Sequence, residues 1–241
     1  MLEVENLHAG YGDAEVLFGI DLKVEKGEAV AIVGSNGAGK TTLLRALSGI
    51  IAPTQGNVRL LGEDVAGMHT HALVEKGIVM VPEGRRLFPR MSVRRNLEIA
   101  AYSKRARPHI EQRLREVYEL FPILQERSDQ LGGTLSGGQQ QMVAIARGLV
   151  ATPQILMLDE VSLGLAPVMV SRVYDAIRAI RDTGVTLVLV EQNVSQALSV
   201  ADRAYVVQQG KVVLSGTGKE LKDNKEVRRV YLGLGPSEEE N

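Results

Sequence analysis

The residues Gly34, Ser35, Asn36, Gly37, Ala38, Gly39, Lys40 and Thr41 run consecutively and carry the pattern GxxxxGK[ST]. Glycine permits backbone angles and close approach that a Cβ forbids, so the amides of Gly37 to Thr41 can converge on phosphate oxygens. The same amides open a helix, whose unpaired donors and partial positive charge favour an anion. Lys40 is placed to reach the outer phosphates, Thr41 to ligate magnesium through its hydroxyl, and Thr42 to assist at an α-phosphate. A glycine-rich turn that only caps a helix is the plainer alternative. It does not call for four fixed positions set between a buried strand and an apolar-striped helix.

A second acidic element is Ile155 to Glu160, ILMLDE, with Asp159 and Glu160 at the end of an apolar run. Parallel sheets gather ligand-binding residues at such strand ends. Asp159 is suited to hold magnesium through water, and Glu160 to orient or deprotonate a water attacking a γ-phosphate. Adjacent strand residues point to opposite faces, but a chain bending into a loop brings both carboxylates to one site. An ordinary acidic strand terminus is the rival reading.

The elements that position these residues follow from periodicity. LEVENL, VLFGIDLKV and AVAIVG read as three short strands, the third wholly buried, and Thr42, Leu43, Leu44, Ala46 and Leu47 mark a helix stripe. VRLL and GIVMV are further strands, joined by a polar connector holding His69 and His71. From Phe88 to about Val150 the pattern is helical; Ile110, Leu114, Val117, Tyr118 and Phe121 form a stripe that Pro122 ends. ILMLD, a helix through Val170, Val173, Tyr174, Ile177 and Ile180, and a strand from Thr186 to Val190 make an α/β crossover unit. Residues 204–215 read as a hairpin around Gln209 and Gly210, and 219–232 as a last amphipathic helix.

The predicted organisation is a core segment over 1–84, a helical lobe over 85–150, a second core segment over 151–235, and a frayed tail over 236–241. A chain of 241 residues can bury a sizeable core. Its net charge of −1 excludes bulk attraction to nucleic acid or anionic lipid. With no cysteine, thiolate chemistry and disulfides are excluded. The start MLEVENLHAG does not read as a signal peptide, and no apolar run approaches the length of a membrane span. The four histidines show no metal-ligand arrangement.

A third motif, LSGGQ at Leu135, Ser136, Gly137, Gly138 and Gln139, is by itself a serviceable helix start with Ser136 at the cap. GSNGAGKT, LSGGQ and LMLDE in this order resemble the ATP-binding subunit of ABC transporters over nearly the whole chain. The resemblance implies an α/β P-loop NTPase core of ABC type, an antiparallel β subdomain and a helical lobe carrying LSGGQ. It implies ATP and Mg2+ as ligands, and a head-to-tail dimer with a second ABC ATPase, a homologue or a self-copy. Each LSGGQ then closes over the other chain's ATP. It places Tyr11 on the adenine with Val16 beside it, a strand-edge tyrosine packed on the sheet being the rival. It also places Glu83 where relatives carry a glutamine that senses magnesium and attacking water, Ala166 where they carry an aspartate, and Gln192 where a histidine contacts the γ-phosphate. Gln192 can donate a hydrogen bond but cannot become cationic.

VPEGR with VEQN is most similar to the second ATPase subunit of branched-chain amino acid importers, and next to its counterpart in urea or short-chain amide importers. Integral membrane permeases are then direct partners and a periplasmic solute-binding protein an indirect one, with the chain peripheral on the cytoplasmic face of the inner membrane. The surface from Glu83 to Asn96, including Arg85, Arg86, Phe88 and Pro89, is expected to receive a permease helix. Arg94 and Arg95 either frame that groove or form a solvated charge run. The rivals from other classes are a soluble ABC ATPase outside transport and a regulatory module that binds ATP without turnover.

Overall fold

The computed structural model describes residues 1–227. Strands β1 (Leu2–Tyr11), β2 (Ala14–Val24) and β3 (Ala29–Val33) lead into helix α1 (Lys40–Leu47), then β4 (Gln55–Leu60), β5 (Glu63–Asp64), α2 (Thr70–Glu75) and β6 (Ile78–Val81). Helices α3 (Val93–Glu98), α4 (Ile110–Leu120), α5 (Pro122–Glu126) and α6 (Gly137–Val150) precede β7 (Ile155–Asp159) and α7 (Pro167–Asp182). The chain continues through β8 (Thr186–Glu191), α8 (Val194–Leu198), β9 (Arg203–Gln208), β10 (Lys211–Thr217) and α9 (Gly218–Asp223). It divides into two compact units, Met1–Gly67 with 188 onward, and Met68–Leu187.

In the first unit β1, β2, β4 and β5 form an antiparallel sheet in the order β2-β1-β4-β5. The order of the other strands is β10-β9-β3-β8. All five residues of β3 are buried, as an interior strand flanked on both faces requires, and β3 runs parallel to β9 from Val30 opposite Arg203 to Val33 opposite Val206. β10 returns antiparallel to β9 and alternates between exposed and half-buried residues, which is the pattern of a strand with one face in water. Arg203 holds this layer to the β2–β3 connection. Its Nε and Nη2 donate to the two carboxylate oxygens of Glu28 at 2.5 and 3.0 Å, and Nη2 also donates to the Lys23 carbonyl at 2.7 Å.

In the second unit β6 and β7 pair in parallel from Ile78 opposite Ile155 to Val81 opposite Leu158. Helix α6 is the centre of the helical lobe and packs against α3, α4, α7 and β6. Met142, Val143, Ala146 and Leu149 are buried. In α7, Val173, Tyr174, Ile177 and Ile180 share the buried face. Three local expectations differ. His71 lies in a helix, α2, and His69 caps it, because the single buried residue Leu73 is enough to fold the connector onto its unit. Pro122 ends α4 but also starts α5, where a missing N–H costs nothing at the first helical position. The expected 219–232 helix is interrupted: α9 ends at Asp223, Asn224 breaks it and residues 225–227 are helical again, while the rest of the range and the tail lie outside the described residues from 228 on.

Arg203→Ala is expected to lower the unfolding free energy by about 1–3 kcal/mol, read from the urea midpoint. Burial raises the Glu28 carboxyl, but the Arg203 hydrogen bond and charge together with the Glu25 backbone N–H outweigh it, so the group is held below its ordinary value of 4.5. The pair's stabilisation is therefore present above that ordinary value and lost as pH falls through the depressed one. The variant's deficit should shrink in acid, and an unchanged deficit there would exclude the pair as its source.

Candidate active site

The phosphate-binding pattern lies between β3 and α1, in the strand–loop–helix order that it needs. Gly39 caps α1 at φ 104, and a Cβ there would stand 2.9 Å from the Leu17 side chain and 3.6 Å from Val16, so both backbone angle and space demand glycine. The Lys40 ammonium donates to the carbonyls of Gly34 at 3.0 Å and Ser35 at 3.1 Å, which curls the loop around its own lysine. The hairpin turn between β9 and β10 braces the loop from behind, because Gly210 N–H donates to the Ala38 carbonyl at 2.9 Å while its own carbonyl accepts from Phe18 N–H. Lys40 and Thr42 are buried, and Thr41 follows Lys40 in the first turn of α1. A loop held in this way has main-chain donors available to an anion without reorganising first.

Tyr11 ends β1 and is substantially exposed. Its hydroxyl lies 3.4 Å from Thr42 Oγ1 and accepts from Arg45 Nη1 at 2.9 Å, and the Arg45 guanidinium stands 5.9 Å from the ring centroid. The structure thus brings Tyr11, Val16 and Thr42 around the start of α1. Gln192 follows β8 directly and is exposed, with Asn193 capping α8 behind it.

In the second unit Asp159 is the buried last residue of β7, and Glu160 turns the chain out of the strand at φ 44. Left-handed geometry at a non-glycine residue costs about 1–3 kcal/mol, a cost that functional sites commonly carry. Glu160 and Glu83 line one cavity of about 340 Å³, with Arg85, Arg86, Gln140 and Gln141 among its other walls. Gln141 is buried, and its Nε2 has no hydrogen-bond partner. Two carboxylates in one polar cavity suit water activation, in which one accepts a proton and the other orients the water.

LSGGQ takes the shape of a capped helix start. Ser136 Oγ accepts from Gln139 N–H at 3.4 Å, and the Gln139 side chain accepts from Ser136 N–H at 3.0 Å. The Ser136 hydroxyl serves here as acceptor and keeps its proton to donate. Leu135 is buried and anchors the motif, and the Met169 side chain of α7 lies where a Cβ on Gly138 would stand. The loop after β6 is anchored by Asn96, wholly buried. Its Nδ2 donates to the carbonyls of Phe88, Met91 and Ser92, and its Oδ1 accepts from Phe88 N–H at 2.9 Å. The roles of Arg45, Met169 and the Gly210 brace were missed by sequence reasoning because their partners are distant in sequence, and that of Asn96 because its nearby partners are main-chain groups that carry no periodic signal. Arg94 pairs with Glu98 at 2.6 Å and Glu111 at 3.4 Å, an arrangement that the solvated charge run also predicts.

Among the described residues no helix is long and apolar enough to cross a membrane. A phosphate loop, a buried Asp-Glu strand end and a capped LSGGQ helix, carried on a mixed α/β core with an antiparallel subdomain and a helical lobe, define an ABC-type P-loop ATPase. The family model described as ABC transporter matches residues 17–162, and the chain belongs to that family and is an ATP-binding, ATP-hydrolysing subunit. It is 43% identical to the high-affinity branched-chain amino acid transport ATP-binding protein BraG of Pseudomonas aeruginosa, over 97% of this chain and 100% of that one. It is 37% identical to the lipopolysaccharide export system ATP-binding protein LptB of Escherichia coli, over 96% and 97%. The crystal structure of the ADP conformation of an ATP-binding cassette of an ABC transporter superposes with TM-score 0.82 at 25% identity, over 97% and 98%.

Lys40→Ala removes both bonds to the loop carbonyls and the charge offered to phosphate. It is expected to raise the dissociation constant of a fluorescent ATP analogue about tenfold to hundredfold. Titration at constant protein checks this, and an unchanged constant rejects the phosphate role.

Proposed function

We propose that this chain powers import of branched-chain amino acids through a membrane permease, on the cytoplasmic face of the membrane, by hydrolysing ATP in a two-chain assembly. The observation that carries the cargo assignment is the 43% identity to BraG across the whole of that protein. LptB shares 37% while its name refers to a different cargo, so what both share defines the ATPase and leaves the cargo to the permease. A urea or short-chain amide importer is the second reading, favoured by the same VPEGR and VEQN residues.

In this mechanism Gly34 to Thr42 bind the triphosphate, Lys40 holds its outer phosphates, and Tyr11 with Val16 takes the base. Glu160 is the general base, Glu83 orients the water, and Gln192 donates a hydrogen bond to the γ-phosphate. Thr41, Asp159 and Glu83 would hold magnesium, which would screen phosphate charge when bound. Among the described residues no cluster of three or more His, Cys, Asp or Glu side chains could form a cage for a metal. The sparse, all-oxygen donor set suits an ion that keeps waters and substrate phosphates. Residues 85–150 form the lobe whose Ser136 and Gly137 to Gly138 amides face the nucleotide of a second ABC ATPase, head to tail. Coupling arises because ATP stabilises the closed pair more than ADP does; equal affinity for both states would move nothing.

A groove of about 310 Å³ in the second unit supports the permease contact. Its walls include Val79, Val81, Phe88, Ile99, Tyr102 and Arg147. Phe88, Ile99 and Tyr102 are exposed. The Arg147 guanidinium stands 5.7 Å from the Phe88 ring centroid and donates to the Arg86 carbonyl at 2.8 Å; burial holds its pKa below the ordinary arginine value. Phe88 thus faces this groove, whereas Arg85, Arg86 and Pro89 line the cavity beside Glu160.

Glu160→Gln in the host chromosome is expected to reduce ATP turnover of the purified assembly at least about a hundredfold and to abolish uptake of labelled leucine. Lost urea uptake with normal leucine uptake would select the second reading. Unaltered turnover would reject Glu160 as the base. Phe88→Ala should leave basal ATP turnover within about twofold while transport falls at least tenfold, since it removes packing at the groove and nothing at the nucleotide.

A further inference from the structure

The loop after β6 holds the least comfortable backbone in the second unit. Arg86 N–H donates to the Gly84 carbonyl at 2.6 Å across a three-residue turn whose centre, Arg85, has φ 64. A γ-turn with positive φ at its centre is rare and strained, and a non-glycine residue there adds to the cost. Arg86 follows at φ 48. What this geometry achieves is the placement of one side chain. The guanidinium of Arg85 lies against Gly137, with Nη2, Nη1 and Cζ at 3.1, 3.2 and 3.3 Å from the point a Cβ would occupy.

Gly137 is not among the residues with positive φ, so its backbone angle does not demand glycine. A Cβ at 137 would press on the guanidinium and shift it slightly. A cation is thereby seated beside the first turn of a 14-residue helix, at the end where the helix is itself partially positive. Arg85 has no carboxylate within 4 Å among the described residues. Its one side-chain partner is the neutral Gln140 Oε1 at 3.2 Å. Arg85 borders the cavity that Glu160 and Gln141 also line, and the buried Gln141 Nε2 has no hydrogen-bond partner. An anion arriving there meets two positive groups, the guanidinium and the helix start, and offsets their repulsion.

We propose that Arg85 is a phosphate-contacting residue of the two-chain site: beside Gly137, its guanidinium donates to the terminal phosphate of the nucleotide held by the facing chain. It supplies the positive charge that Gln192, neutral at all relevant pH, does not. This rests on the two-chain reading above and adds to it a residue outside the three motifs. Because the turn at Gly84 to Arg86 shares its cavity with Glu160, a guanidinium drawn onto phosphate also reports partner occupancy to the chain's own base.

The test uses the full chain carrying Glu160→Gln, purified with the ATPase chain that accompanies it or as its own pair, with ATP-driven association followed by light scattering. Adding Arg85→Ala is expected to raise the ATP concentration for half-maximal association about tenfold to hundredfold, the range for loss of a charged hydrogen bond. Arg85→Lys should recover part of that loss. ADP affinity of the unassociated chain should stay within twofold, since that nucleotide sits on the chain's own phosphate loop. Gln140→Leu, which removes that side-chain partner together with the Gln140 Nε2 bond to the Gly132 carbonyl, should leave the ATP requirement unchanged or lower it. Association unaffected by Arg85→Ala overturns the proposal alone. So does a Gln140→Leu defect as large as that of Arg85→Ala, which would make the guanidinium a strut for the loop. A Glu160→Gln protein that stays monomeric in saturating ATP overturns the two-chain reading and the proposal together.

Discussion

Several main-chain N–H groups can point at one anion only where the chain turns tightly, carries no side chain on its inner surface and is held from behind. Each condition is met by a different part of the first unit. Gly39 allows φ 104 and leaves room for Leu17 and Val16. The wholly buried β3 fixes where the loop starts, and the Gly210 N–H bond to Ala38 fixes its back. The Lys40 ammonium draws the Gly34 and Ser35 carbonyls inward. The strand layer and hairpin therefore act as supports for one small concave backbone surface, and Arg203 ties that support to the β2–β3 connection. Rigid placement of donors before the anion arrives is what gives such a loop its affinity.

The second unit distributes its strain differently. Glu160 at φ 44 and the Gly84 to Arg86 turn are unfavourable conformations, and both border the same cavity. Neither would persist without dense packing behind it, which the buried β7 and the faces of α6 provide. Asn96, with three acceptors and one donor satisfied, clamps the loop that carries Arg85 at one end and Phe88 at the other. Arg147 holds the same loop through the Arg86 carbonyl. A loop with a catalytic cavity on one side and an apolar groove on the other is a short mechanical path between nucleotide and permease in the proposed function.

Much of this was legible in the residues. The strand–loop–helix around Gly34 to Thr42, the buried ILMLD strand, the cap at Ser136 and the α7 stripe are all local patterns, and periodicity or spacing reports local patterns faithfully. What local pattern does not report is contact between residues far apart in sequence. Arg94 meets Glu111, Tyr11 meets Arg45, and Gly138 lies under Met169. The surface from Glu83 to Asn96 reads as one stretch along the chain, but folding sends Arg85 and Phe88 to different cavities.

By itself the sequence determined the chemistry: an ATPase of the ABC family, with phosphate loop, acidic strand end and LSGGQ in order, because these depend on residue type at fixed short spacing. Tertiary structure alone decided which side chains surround those motifs. Glycine at 137 reads in sequence as a helix start; only the fold shows that the missing Cβ makes space for a guanidinium contributed from 52 residues upstream. The physical reason is that non-local packing places groups by shape and charge across distances along the chain that no periodic pattern records.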